Sequence, residues 1–374
     1  MTEETFVREL ERRADHVHGV PLSFDDVRGK ARSIQRRRRA GAAAAVAAVV
    51  ALAVVLPAVL GGHGERGIEP APSPRGDTAV LHDGVVTRAD GSRVDLEVDN
   101  ADVTDVTVLT DGRVVVSLQQ PYSIRVYRAD GSLQEQYPVQ LNMVTASADD
   151  STAAWVAEDF TIRVLESGVT EPVERPGVPM PGEAVGLIDA VLDADHLLVG
   201  DGTTTSAVVT PDGAGSAGMP TDFPTDARVT DVSPDGRLWA LSFIPRANQQ
   251  YGCVGLFDLH TFTVVARSCD VSGLTFSPDG KHLLGGYYEN NMIGDVTVVD
   301  LDLQPVGSVA TDRGSVVSRM AWADPDHLLV GVAGLEDGRW SLQRFELDGR
   351  DPETVEGPVD GGNPEQVAEY QFSE

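Results

Sequence analysis

Hydrophobic and polar positions along this chain follow two different periods, and the change between them divides it. Between residues 1 and 35 the apolar positions recur at helical spacing: Phe6, Leu10, Ala14 and Val17 form one narrow stripe, and Phe24, Val27, Ala31 and Ile34 form a second. Ser23 can cap the second helix, with Asp25 and Asp26 in its first turn. Neither short helix buries enough surface to fold alone. From Gly41 to Leu60 the pattern is continuous: GAAAAVAAVVALAVVLPAVL carries no charge. At helical rise it spans about 30 Å, the thickness of a bilayer's hydrocarbon core. Beyond residue 76 short alternating runs of β type take over.

Those runs repeat. Ser233-Pro234-Asp235-Gly236 and Ser277-Pro278-Asp279-Gly280 each separate two β-like runs, and weaker versions stand at Asp111-Gly112, Asp149-Asp150, Asp193-Ala194-Asp195 and Asp324-Pro325-Asp326. The runs after these turns begin at Val114, Thr152, His196, Leu238, His282 and His327, at spacings of 38, 44, 42, 44 and 45 residues. A second turn series interleaves with the first. Arg88-Ala89-Asp90-Gly91-Ser92 recurs verbatim at 128–132, with equivalents at Ser167-Gly168, Asp212-Gly213, His260-Thr261, near Asp302 and at Asp348-Gly349. Each unit therefore reads as four antiparallel strands, the pattern of a β-propeller blade. The expected fold is all-β, a seven-bladed propeller, with six blades as the alternative, behind an N-terminal transmembrane helix. The hairpin Ala79–Val98 has no turn of the first type, so it is expected to supply the outer strands of a blade whose inner strands are missing. A strand-like stretch at 366–372 would pair with it and close the ring.

The domain expectation is a cytoplasmic tail over 1–40, a span over 41–60, a linker over 61–76 and an extracytoplasmic propeller over 77–374. Arg36, Arg37, Arg38 and Arg39 abut the apolar run, and the positive-inside rule puts that end in the cytoplasm. The 40 residues ahead of the run, and the lack of a small-residue cleavage site after it, favour an uncleaved anchor over a signal peptide.

Charge sharpens this division. The whole chain of 374 residues has a formal net charge of −29. Residues 1–61 hold ten Arg/Lys against seven Asp/Glu, whereas residues 62–374 hold 19 against 51. A domain that acidic repels phosphate backbones, which excludes nucleic acid as a partner of the propeller. The remaining partners are the membrane and a protein, peptide or envelope ligand.

The SPDG units resemble the WD40-like repeats of TolB-type periplasmic propellers and of the propeller domains of some peptidases. The resemblance implies a fold and leaves the activity open. The nucleophile elbow GxSxG is absent, because Ala214 occupies the required glycine position in 213–218. The run His18 to Arg39 before an Ala-rich span resembles the N-terminal parts of actinobacterial single-pass proteins encoded beside extracytoplasmic-function sigma factors. That implies an anti-sigma role through residues 1–40 as an alternative function, although the H-x-x-x-C-x-x-C zinc motif of one such class is missing.

Candidate chemistry is sparse. Cys253 and Cys269 flank the turn near Thr261 at equal distance, so in an antiparallel pair they face each other and suit a cross-strand disulfide; two free thiols are the alternative. His196, His282 and His327 share one repeat position on three blades, where a surface turn is the expected setting. Asp99, Asp102 and Asp105 form an acidic run expected to be a solvated loop between blades. Trp155, Trp239 and Trp322 are expected to pack between blades. No catalytic residue, cofactor or metal site is expected. A binding or sensory module is the preferred function, and a lactonase-type propeller hydrolase the enzymatic alternative.

Overall fold

The computed structural model describes residues 78–373 apart from 179–185, 212, 216–218, 221, 246–251, 290–291, 311–313, 351 and 362–367. Residues 1–77 lie outside the described residues, and with them the apolar run, Arg36, Arg37, Arg38, Arg39 and the linker. Among the described residues no helix is long and apolar enough to cross a membrane.

Seven four-stranded antiparallel units form a β-propeller. Blade 2 runs Val103–Val108, Val114–Gln119, Tyr122–Tyr127 and Leu133–Pro138, from the innermost strand outward. Blade 3 runs Thr145–Ala146, Thr152–Val156, Ile162–Glu166 and Val173–Arg175. Blade 4 runs Leu187–Asp193, His196–Gly200, Thr205–Thr210 and Gly213–Gly215. Blade 5 runs Ala227–Val232, Leu238–Phe243, Val254–Asp258 and Thr263–Ser268. Blade 6 runs Ser272–Phe276, His282–Glu289, Met292–Asp300 and Pro305–Ala310. Blade 7 runs Ser315–Asp324, His327–Gly334, Arg339–Glu346 and Glu353–Asp360.

The first-type turns hold their shape through side chains. Ser277 Oγ donates to Asp279 Oδ1 (2.8 Å) and accepts the His282 N–H (3.0 Å), while Asp279 Oδ1 also accepts the Lys281 N–H (3.1 Å). Ser233 and Asp235 do the same in blade 5. Gly236 and Gly280 end these turns at φ near +70°, where a side chain is strained. Blade 3 builds the same turn from Ser147 and Asp149, with Asp150 at φ 53° in the glycine position. Its sequence looks degenerate, but its hydrogen bonds are those of the SPDG turns.

Blade 1 closes the ring. Val80–His82, Val85–Thr87 and Arg93–Asp95 come from the N-terminal side, and Gln371–Phe372 from the C-terminal end is the innermost strand. Val80 pairs with Phe372. Ser373 N–H donates to Ala79 O (2.9 Å), and Ala79 N–H donates to Ser373 Oγ (2.7 Å). The division of strands differs from the expectation. The N-terminal hairpin supplies three strands, so only the innermost is missing rather than an inner pair. The reason is the tight turn at Asp83 and Gly84, both at positive φ, which folds Val80–His82 back onto Val85–Thr87.

The core is divided among the blade interfaces. Seven clusters of buried apolar side chains lie one between each successive pair of blades. The cluster between blades 7 and 1 joins Val80 to Trp340, Tyr370 and Phe372. Closure by the C-terminal strand is therefore a packing event as well as a hydrogen-bonded one.

Candidate functional site in the central channel

The innermost strands wall the channel, and five of them carry an irregularity part-way along. Pairing with the second strand skips between Val103 and Asp105, Ile188 and Ala190, Val229 and Asp231, Ser272 and Thr275, and Val317 and Arg319. Such bulges re-aim the side chains beside them. In blades 2 and 5 the sequence at the bulge is identical, Val-Thr-Asp-Val at 103–106 and 229–232. The two copies make matching contacts. Asp105 Oδ1 accepts the Val106 N–H (2.9 Å) and Oδ2 the Val144 N–H of blade 3 (3.4 Å). Asp231 Oδ1 accepts the Val232 N–H (2.7 Å) and Oδ2 the Phe276 N–H of blade 6 (2.6 Å). Thr104 Oγ1 donates to Asn142 O (2.9 Å). Each Asp thus clips its blade to the next. This device stands in the sequence as a verbatim tetrapeptide, which the turn spacing alone does not reveal.

Blade 4 puts an aspartate at the bulge itself. Asp189, with its side chain fully buried, receives Arg228 Nε on Oδ1 (2.6 Å) and Thr205 Oγ1 on Oδ2 (2.7 Å). Thr205 Oγ1 in turn accepts the Val229 N–H (2.8 Å), so the pair is held from both blades. Burial pushes the Asp189 carboxyl up to about 6, against the opposing pull of Arg228 and Thr205. Gly200 lies so close that a β-carbon there would stand 2.4 Å from Asp189 Oδ2. The absence of a side chain at Gly200 is what admits the carboxylate. Sequence reasoning missed this pair, whose members are 39 residues apart.

A cavity of about 200 Å³ opens among these groups, lined in part by Asp105, Met143, Asp189, Arg228, Thr230 and Asp231. Blades 2 to 6 all contribute to its wall. From blade 7, Arg319 donates to Thr104 O at 3.3 Å. The lining is polar and holds more carboxylates than cations, so it favours a positively charged group.

Apart from Asp105, the residues singled out from sequence fall elsewhere. Asp99 caps a short 3-10 turn, Asn100–Asp102, by accepting the Ala101 N–H, while Asp105 lies on the channel. The expected solvated acidic loop is thus two separate structures. His196, His282 and His327 each begin a second strand, and His196 and His327 bond Asp193 and Asp324 of their own turns at 2.9 Å. Trp155, Trp239 and Trp322 are buried, and Trp322 Nε1 donates to Thr275 O of blade 6 (3.2 Å). Cys253 and Cys269 form a disulfide across the outer half of blade 5, with Cα atoms 4.1 Å apart. The Val254–Ser268 pairing next to them sets that register. Among the described residues one group has the composition to hold a metal ion, His82, Asp83 and Glu369 at the closure seam.

No family model matches the chain, and no curated protein matches it. Among solved structures, a chain from the crystal structure of the mitotic checkpoint complex is similar, with a TM-score of 0.48 and 13% identity over 84% of this chain and 97% of that one. The seven-bladed assignment stands on the sheet order itself.

Proposed function

We propose that the chain is a membrane-anchored binding module. Residues 1–40 face the cytoplasm, 41–60 cross the membrane once, and 61–76 hold the propeller away from the bilayer on the outer side. The channel mouth takes a protein or peptide ligand through a basic segment, and it binds that ligand rather than transforming it. The SPDG turns support kinship with TolB-type propellers. The observation that carries the binding half is the polar cavity walled by five blades of a closed ring. Such walls are rigid before the ligand arrives, which limits the ordering cost of binding. The carboxylates there, set in a domain of strongly negative charge, complement a cationic partner and speed its encounter.

Two experiments test the two halves. A photo-crosslinker at Met143, exposed at the cavity rim, should capture a discrete partner in native membranes, and one at Val265, exposed on the outermost strand of blade 5, should not. Equal capture from both positions overturns the channel reading. Alkaline phosphatase joined after Glu374 should be active outside the membrane, and replacing Arg36, Arg37, Arg38 and Arg39 with Gln should lower that activity. An inactive fusion overturns the anchored topology.

A further inference from the structure

The turn that begins blade 1 and the segment that ends the chain meet at a group of ionisable side chains. His82 is half-buried and its ring lies tilted against that of Tyr370, with ring centroids 4.6 Å apart. Its Nδ1 lies 2.9 Å from Glu356 Oε1 on the outermost strand of blade 7. That contact keeps the proton on Nδ1, because the carboxylate can only accept. The His82 Nε2 lies 4.0 Å from Asp83 Oδ2. Donor atoms of His82, Asp83 and Glu369 all lie within 4.8 Å of one another.

We propose that His82, Asp83 and Glu369 bind one divalent transition-metal ion of the zinc type, which clamps the closure of the propeller. The donor set selects the ion: one imidazole nitrogen and two carboxylates suit zinc and its neighbours, whereas magnesium and calcium favour all-oxygen shells. Glu356 fills the outer role that carboxylates take behind metal-bound histidines, fixing the tautomer and the ring orientation. Ligand distances of about 2.1 Å allow donor pairs up to about 4.2 Å apart. The His82–Asp83 separation of 4.0 Å already lies in that range, and the Asp83 side chain, 82% exposed, is open to solvent.

A second, independent observation points to a ligand. Tyr370 is fully buried, yet its hydroxyl has no hydrogen-bond partner among the described residues. The Tyr370 ring lies against the His82 imidazole, which places the phenol beside the cluster. Buried hydroxyls of this kind are satisfied in stable proteins. An ion at the cluster satisfies this one, either directly or through a water on its open position. The placement gives the site a role. His82 and Asp83 belong to the N-terminal hairpin, and Glu369 lies just before the closing strand Gln371–Phe372. The ion therefore ties together the two chain segments whose pairing completes the ring.

The test uses the full chain, freed of metal with a chelator and titrated with zinc alone by calorimetry. Wild type should bind one zinc per chain at micromolar or tighter affinity and melt at a higher temperature with zinc than without it. Excess magnesium should not displace the zinc. His82→Gln should abolish the binding, and Glu356→Gln should weaken it 10–100-fold. Asp83→Asn keeps a residue that tolerates the positive φ of this turn, so the fold is retained while a ligand is lost. It should lower the affinity with the metal-free melting temperature unchanged. Absence of stoichiometric zinc binding in wild type, or undiminished binding in His82→Gln and Asp83→Asn, overturns the site.

Discussion

Arg228 of blade 5 reaches across to Asp189 of blade 4 and holds its carboxylate at 2.6 Å inside the channel wall, where the carboxylate has no exposed surface. Thr205 takes the second oxygen. The arrangement is a joint between blades and also a titratable one, because burial leaves Asp189 able to take up a proton near pH 6.

The joint gives a pH dependence of definite sign. The folded state binds the Asp189 proton at about 6 and the unfolded chain at 3.8. Between those values the folded state holds more protons, so this group's contribution to stability grows as pH falls from 7 to 4 and is lost as pH rises through 6. The whole excursion is worth about 3 kcal/mol at most. Asp189→Asn should remove this component. Urea denaturation at pH 5 and pH 7 should therefore show the difference between wild type and variant changing in favour of wild type at pH 5. Arg228→Ala strands a buried carboxylate and should cost about 2–4 kcal/mol at pH 7, less at pH 5. A difference that does not vary with pH would show that Asp189 does not titrate in this range.

The disulfide makes a separate prediction. Cys253 and Cys269 close a loop with a sequence separation of 16, and Cys269 is exposed and open to reductants. In the chain-entropy picture, opening a loop of that size lowers stability by about 3 kcal/mol. The strands Val254–Asp258 and Thr263–Ser268 are also joined by their own backbone ladder. Reduced protein should therefore remain folded, with an unchanged far-ultraviolet spectrum and a lower urea midpoint. Loss of β structure on reduction would mean that blade 5 depends on the bond to form at all.

What could be read in advance follows from how local each determinant is. The second strands of blades 2 to 7 begin at Val114, Thr152, His196, Leu238, His282 and His327, the positions marked by the turn repeat. The turns are specified by residues two to five apart, such as Ser277 with Asp279 and His282, so sequence spacing exposes them. The cysteine register was legible for the same reason, since one hairpin turn separates the two residues. The channel was less legible. Asp189 and Arg228 meet only because blades 4 and 5 place their bulges side by side, and blade 4 lacks the Val-Thr-Asp-Val tetrapeptide that marks the bulges of blades 2 and 5. The group at His82 and Glu369 was hidden altogether, because ring closure alone brings the two ends of the propeller together.

Closure itself should be the most sensitive part of the fold. Phe372 is 4% exposed and packs with Val80, Trp340 and Tyr370 between blades 7 and 1. Phe372→Ala removes its ring from that cluster and should destabilise the propeller by about 3–5 kcal/mol. Deleting residues 368–374 goes further, since it also strips Val80–His82 of its inner partner and opens a sheet edge that invites pairing between molecules. The truncated protein should melt at a lower temperature and associate in a concentration-dependent way, visible by light scattering. Supplying the peptide 366–374 in excess should reverse part of both effects, because the vacated groove retains Ala79 N–H and C=O, the groups that Ser373 engages. A truncated chain as stable and as monodisperse as the full protein would show that the N-terminal three-stranded sheet docks on blade 7 without the closing strand.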